Sequence, residues 1–171
     1  MFLLQMAGYP GSGKSTLSRK IAKRTGAIVI DRDIIKTSMI NSKVPDSIVA
    51  DASYSVVFDL AEFYLGMQIS VVIDTPCFYE DTLNNGISIS KKYGASYKYI
   101  ECRVEDYSII ENRIYTRDRL ISQIGDTSME RFNNALDKSV RPMNGKFLII
   151  DTSAEDSYDI SLIDEYLRNK I

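Results

Sequence analysis

The chain contains no histidine. That absence excludes the Ser-His-Asp and Cys-His arrangements and every histidine-ligated metal site, so a general base must be a carboxylate, lysine, tyrosine or cysteine. Cysteine is scarce as well. Cys77 and Cys102 have no metal-type spacing and read as reduced residues of an intracellular protein. A large excess of either charge is also missing. A formal net charge of -2 gives no overall field that recruits nucleic acid or an anionic membrane, although a local basic groove is compatible with it. No apolar run approaches the roughly 20 residues of a membrane span. The apolar opening, Met1 to Ala7, is too short and uncharged for a signal peptide. Repeats, low-complexity tracts and linkers are absent, and a cytoplasmic protein is expected.

At 171 residues, 44% hydrophobic and 26% charged, the chain is expected to form one globular domain over 1–171, large enough to bury a core without disulfides or metals. Short apolar runs at Phe2 to Ala7, Ala27 to Ile30, Ser70 to Asp74, Tyr97 to Cys102 and Lys146 to Ile150 read as strands. Several are too apolar to alternate, as strands covered on both faces are. Between them the spacing predicts a helix from Asp46 to Leu65, with Ile48, Val49, Ala52, Val56, Leu60, Phe63 and Tyr64 near helical period and Gly66 as its stop. A second helix is expected from Asp106 to Ile124, ending at Gly125. Thr127 to Glu130 has the form of a capping box for a third, and Ser153 to Asp156 offers a start for a last helix. Strand and helix in alternation predict an α/β fold with a parallel sheet covered on both faces.

Gly8-Tyr9-Pro10-Gly11-Ser12-Gly13-Lys14-Ser15-Thr16 fits G-x-x-x-x-G-K-[ST] in full, between a predicted strand and a predicted helix. Glycines at Gly8, Gly11 and Gly13 let the backbone, with that of Ser12, curl so that successive N–H groups face phosphate oxygens. The helix beginning at Lys14 aims its unpaired amides and positive dipole end at the same anion. Lys14 can reach the β- and γ-phosphates of a nucleotide, the Ser15 hydroxyl can ligate Mg²⁺, and Thr16 is placed where side chains often approach the α-phosphate. A dinucleotide fingerprint is ruled out by Thr16, which stands where a glycine or alanine would be needed.

Asp31-Arg32-Asp33 follows the second strand, which places it at the carboxyl edge of the sheet with the cradle. Asp31 is suited to a metal and its waters, and Asp33 to taking the proton of an acceptor hydroxyl. Either carboxylate is equally suited to capping the next helix. Val71-Val72-Ile73-Asp74-Thr75 has the shape of a second acidic site at Mg²⁺, or of a strand-end Asp bonded into the turn before Pro76. Arg113 and Arg117, four apart on the second helix, project from one face. They serve either a moving phosphoryl group or a solvated surface. Tyr93, Tyr97 and Tyr99 read as amphipathic packing rather than base-stacking residues, and Cys77 as inert.

Taken in order, Gly8-x-Pro10-Gly11-Ser12-Gly13-Lys14-Ser15-Thr16, Asp31-Arg32-Asp33, Ile73-Asp74-Thr75 and Arg113-x-x-x-Arg117 resemble the P-loop kinase group. Within it, the likeness is to the kinase domain of phage-type polynucleotide 5′-hydroxyl kinases and to small stand-alone relatives of the zeta-toxin-like kind. Gluconate-, shikimate- and chloramphenicol-type kinases share the cradle and the acidic group. The resemblance implies a five-stranded parallel sheet in the order 2-3-1-4-5, with ATP and Mg²⁺ as cofactors. It implies Asp33 as general base, Arg32 or Lys36 lining the acceptor pocket, Arg113 and Arg117 on a lid spanning about 106–141, and Thr152 and Ser153 beside the adenine. Two departures stand out. Asp33-Ile34 replaces the frequent Asp-Asp pair, and Lys36 stands at the later arginine, which loses bidentate phosphate recognition. Together with the acidic balance, these favour a small hydroxyl compound over a nucleic-acid 5′ end as acceptor. From another class comes a nucleotide-binding switch or partner-dependent ATPase with no acceptor of its own.

Overall fold

Phe2–Ala7 forms β1, buried along its whole length, and a polar Gln5 sits inside it. The computed structural model describes residues 1–137, 139–143, 147–154 and 157–169. After β1 come α1 (Lys14–Thr25), β2 (Ile28–Asp31), α2 (Arg32–Asn41), α3 (Asp46–Gly66) and β3 (Val71–Asp74). These are followed by α4 (Glu80–Lys92), β4 (Ser96–Arg103), α5 (Tyr107–Thr116), α6 (Met129–Asp137), β5 (Leu148–Asp151) and α7 (Ile160–Arg168). The strands pair in parallel in the order β2-β3-β1-β4-β5, as expected. Lys146, which opens the expected fifth strand, and Asp156, in the expected start of the last helix, lie outside the described residues. So do Lys138 of the expected lid and the last two residues of the expected domain.

Alternation along the strands builds two cores. Leu4 and Met6 of β1 face Leu17 and Ile21 of α1 and Ile163 and Leu167 of α7. Leu3 faces the other way, with Ile30, Val71 and Ile73, onto Val57, Ala61 and Leu65 of α3 and Ile89 of α4. A central strand buried on both sides is what a parallel sheet sandwiched by helices requires. Gln5 is tolerated there because each end of its amide is used. Its Nε2 donates to the Thr82 carbonyl at 3.0 Å and the Cys77 sulfur at 3.2 Å, while its Oε1 accepts from the Tyr97 hydroxyl at 2.7 Å. Tyr93 and Tyr99 also serve packing, their hydroxyls bonded to Glu62 and to the Val140 carbonyl.

Three sequence expectations shift. The buried stripe of α3 is Val49, Ser53, Val57, Ala61 and Leu65, and Ile48 and Phe63 are exposed. This helix is apolar around much of its circumference, and Ser53 joins the stripe by donating its hydroxyl to the Ala50 carbonyl at 2.7 Å. The helix also runs through Gly66, with the left-handed residue at Gln68, φ 63°. The helix from Asp106 ends at Thr116, short of the expected Ile124. Arg117 is extended, with φ -71° and ψ 144°, because side chains take over the backbone groups beyond it. Arg117 donates to the Ile124 carbonyl at 2.8 Å, Arg119 to the Gln123 carbonyl at 3.3 Å, and the Leu120 N–H to Gln123 Oε1 at 3.1 Å. Finally, Ser128 caps α6, its Oγ accepting from the Arg131 N–H at 3.2 Å. Thr127, the expected cap, bonds the Tyr9 hydroxyl at 2.8 Å instead.

Burial pushes the thiols of Cys77 and Cys102 up to about 12. Both therefore stay protonated in the folded chain at pH values where the unfolded chain, with thiols near pH 8.5, loses those protons. The unfolded state binds fewer protons in that window, so stability falls as pH rises from about 8.5 toward 12, by up to about 1.4 kcal/mol per pH unit for each thiol. Urea midpoints at pH 7.5 and 9.5 check this. The midpoint should drop at the higher pH, and iodoacetamide should label neither cysteine until the chain unfolds.

Candidate active site

Because every strand is parallel, the carboxyl ends of β1, β2 and β3 meet at one edge, where Asp31 and Asp74 are register partners. The cradle begins there. Gly8 has φ 130° and Gly13 φ 86°, and the Ser12 N–H donates to the Tyr9 carbonyl at 3.0 Å. These are left-handed backbone conformations that favour glycine. Gly13 is the N-cap of α1 and no side chain caps it, so the first amides of α1 face the cavity without a side-chain partner at that cap.

A cavity of about 960 Å³ opens over this edge. Of the residues singled out from sequence, Gly11, Gly13, Lys14, Ser15, Thr16, Asp31, Arg32, Asp33, Lys36, Asp74, Arg113, Arg117 and Thr152 line it. Gly8, Ser12 and Ser153 do not line it, and their carbonyls accept from Lys14, Thr152 and Arg113. Arg19, Lys20, Gln123 and Tyr158 also line the cavity, and no motif marked them in the sequence.

Lys14 Nζ donates to the carbonyls of Gly8 at 2.8 Å and Tyr9 at 3.0 Å. Burial holds its ammonium below the usual lysine range, against the opposing pull of the Asp74 carboxylate. Asp74, buried at the end of β3, accepts from the Ser18 hydroxyl at 3.2 Å. Asp31 is the N-cap of α2, its Oδ1 accepting from the N–H groups of Asp33 at 2.9 Å and Ile34 at 3.4 Å. Its other oxygen lies 3.5 Å from Arg19. Desolvation, and then the charge of Asp74, raise the Asp31 carboxyl above its ordinary value. Capping therefore falls to Asp31, which leaves the Asp33 side chain free for another partner.

The two arginines do different things. Arg113 reaches back from α5 to three carbonyls, those of Gly11 at 3.3 Å and of Thr152 and Ser153 at 2.8 Å each. Thr152 in turn donates its hydroxyl to the Ser12 carbonyl at 2.6 Å. Cradle, α5 and the end of β5 are thus fastened together. Arg117 lies beyond the helix, so the shared helical face expected for the pair does not form, yet both still line the cavity. Burial lowers the Arg117 guanidinium below its ordinary range, opposed by Asp33. On the α2 side, Arg32 stacks 3.9 Å over the Tyr54 ring, and neither Arg32 nor Lys36 is ion-paired among the described residues.

A family model described as AAA domain matches residues 3–141. The chain belongs to the AAA domain family. Solved structures place the fold of this AAA-domain chain among the P-loop kinases. A presumed kinase from Chloroflexus aurantiacus superposes with a TM-score of 0.80 at 20% identity, covering 99% of this chain and 98% of that one. An APS kinase from Mycobacterium tuberculosis, in complex with AMPPNP and APS, gives 0.67 at 15% identity over 98% of each chain. A gluconokinase from Sinorhizobium meliloti gives 0.60 at 14% identity over 97% of this chain and 89% of that one. At these identities the likeness is one of fold. Among the described residues of the AAA-domain chain, no helix is long and apolar enough to cross a membrane.

Proposed function

We propose that the chain is an ATP- and Mg²⁺-dependent phosphotransferase that moves the γ-phosphoryl group to the hydroxyl of a small molecule. The observation that carries the reading is one cavity lined both by the cradle residues and by Asp33 with Arg32 and Lys36. A donor site alone would not need this second group of side chains. The APS kinase of the same fold, solved with both AMPPNP and APS, supports a cavity of this kind holding donor and acceptor together.

In this reading the cradle amides and Lys14 bind the β- and γ-phosphates, and Thr16 borders the α-phosphate. The wall at Thr152 and Tyr158, with Ser153 next to it in the chain, receives the base. Ser15 and Asp74, with Asp31 beside it, form an all-oxygen donor set that fits Mg²⁺, an ion that takes few carboxylates and keeps water and phosphate oxygens. Bound there, the ion would neutralise charge on the β- and γ-phosphates. The acceptor oxygen attacks the γ-phosphorus, its bond to phosphorus forms as the bond to the β–γ bridging oxygen breaks, ADP leaves, and the hydroxyl proton passes to Asp33. Arg117 stabilises charge on the moving group. Arg113, fastened to the cradle backbone, keeps the loop in shape. Within the region of about 106–141, the stretch 117–126 acts as the lid. Arg32 and Lys36, which have no carboxylate partner among the described residues, favour an acceptor that itself carries negative charge, and a sugar acid suits them better than a neutral sugar.

ATP consumption with Mg²⁺ against sugars, sugar acids, nucleosides and a 5′-hydroxyl oligonucleotide tests the reading. One small-molecule class should stimulate turnover, and Asp33→Asn should lower that turnover by about 10²-fold. Stimulation by the oligonucleotide alone, weakening steeply with salt, would move the acceptor to nucleic acid. Slow hydrolysis indifferent to every compound and to Asp33→Asn would mark a switch.

A further inference from the structure

We infer that Gln123 is a positioning residue for Asp33: it holds one carboxylate oxygen and leaves the other to the acceptor hydroxyl. The inference rests on the role proposed above for Asp33. Gln123 sits at the tip of the arm between α5 and α6, far in sequence from α2, and its Nε2 donates to Asp33 Oδ2 at 3.1 Å. A carboxamide has a donating end and an accepting end, and here the choice between them is forced. The Leu120 N–H can only donate, and it lies 3.1 Å from Oε1. Turning the amide over would set N–H against N–H at Leu120 and oxygen against carboxylate at Asp33. The turn 120–123 therefore aims the –NH₂ group at Asp33.

Every other polar atom of Asp33 but one is also fixed. Its N–H donates to Asp31 Oδ1 at 2.9 Å. Its carbonyl accepts from the Ser122 hydroxyl at 3.0 Å, and that hydroxyl pairs with Thr37 Oγ1 at 3.0 Å. Among the described residues only Oδ1 has no hydrogen-bond partner. Adjacent residues of one arm thus hold the backbone and one side-chain oxygen of a cavity-lining carboxylate, and the remaining oxygen is presented in a single orientation. Rotation about the Cβ–Cγ bond, which would swing both oxygens off line, is opposed by the Nε2 bond. Proton transfer depends on such alignment, so the arm acts on the reaction without touching the reacting atoms.

A bond that merely stapled the turn would serve Leu120, not Asp33, and two variants separate the cases. Gln123→Glu keeps an oxygen for the Leu120 N–H but replaces the donor with a second anionic oxygen facing Asp33. Gln123→Ala removes both ends. The amide proton resonances of the Gln123 side chain, identified by their loss in Gln123→Ala, should move in Asp33→Asn in the ligand-free chain. With the acceptor that stimulates the wild type, Gln123→Ala should lower kcat about tenfold and Gln123→Glu more than tenfold. The KM for ATP should stay within about twofold in both. A Gln123→Glu variant that turns over like wild type, or a Gln123 resonance indifferent to Asp33→Asn, overturns the inference. Should no compound stimulate the wild type, the kinase reading fails on its own. The resonance measurement then still upholds or overturns the grip of Gln123 on Asp33.

Discussion

Lys14→Ala should lower phosphoryl transfer by about 10²–10³-fold while leaving the chain folded, a larger loss than any other side chain around the cavity should produce. The reason lies in what the ammonium touches. In the ligand-free chain it is parked on the Gly8 and Tyr9 carbonyls, inside the curl of the loop, where burial already lowers its pKa. A phosphate entering the cradle offers full negative charge in place of two carbonyl dipoles, and it does so in a dehydrated setting where charge pairs are strong. Removing the ammonium deletes that gain and leaves two carbonyls with one partner fewer, which costs about 1 kcal/mol of stability. Lys14→Met separates the effects, because it keeps most of the stem and loses only the charge. Its kcat should match that of Lys14→Ala. Turnover near wild type in either variant would refute the phosphate role of Lys14.

The largest stability effect is expected at Gly8→Ala, about 3 kcal/mol or more in urea unfolding. A Cβ there would lie 2.3 Å from the Cys102 carbonyl oxygen and 2.7 Å from Ser12 Oγ, at a φ of 130° that L residues rarely adopt. The obstacle is backbone of the neighbouring strand β4, so no rotamer change relieves it. Gly26→Ala is the control. It has a φ of 73° but nothing within 4 Å, so only the conformational cost remains, about 1 kcal/mol. Similar losses at the two positions would mean that the close approach of β4 to the cradle is not limiting.

What could be read from sequence follows from how local each signal is. The sheet order, which came with the family resemblance, stands as expected, and the cradle, a run of contiguous residues, forms the turn between β1 and α1. Asp31 and Asp33 were legible as a pair, but their division of labour was not. Capping is decided by one backbone angle, and the partner of Asp33 is a glutamine 90 residues away, for which no spacing rule exists. The helix expected from Asp106 to Ile124 stops at Thr116, although Ile121 and Ile124 would continue the helical period of Ile110 and Ile114. Ile121 is 62% exposed and Ile124, at 38%, faces the cavity, while arginine and glutamine side chains claim the backbone there. Periodicity reports which residues prefer burial, and it does not register side chains that bond the backbone in place of a helix.

The fastening of Arg113 to the cradle also bears on motion. With α5 tied to the Gly11, Thr152 and Ser153 carbonyls, and the far side of the arm held by the Tyr9–Thr127 bond and the Tyr9–Phe132 ring contact, both ends of 117–126 are anchored to the phosphate loop itself. If the proposed lid closes, its motion would then be that of a short flap rather than of a swinging helical subdomain. Loop motions of that size run on nanosecond to microsecond timescales, whereas domain hinges take microseconds to milliseconds. Gating by such a flap would outpace a turnover of the ordinary enzyme range, which leaves chemistry or product departure as the slow step.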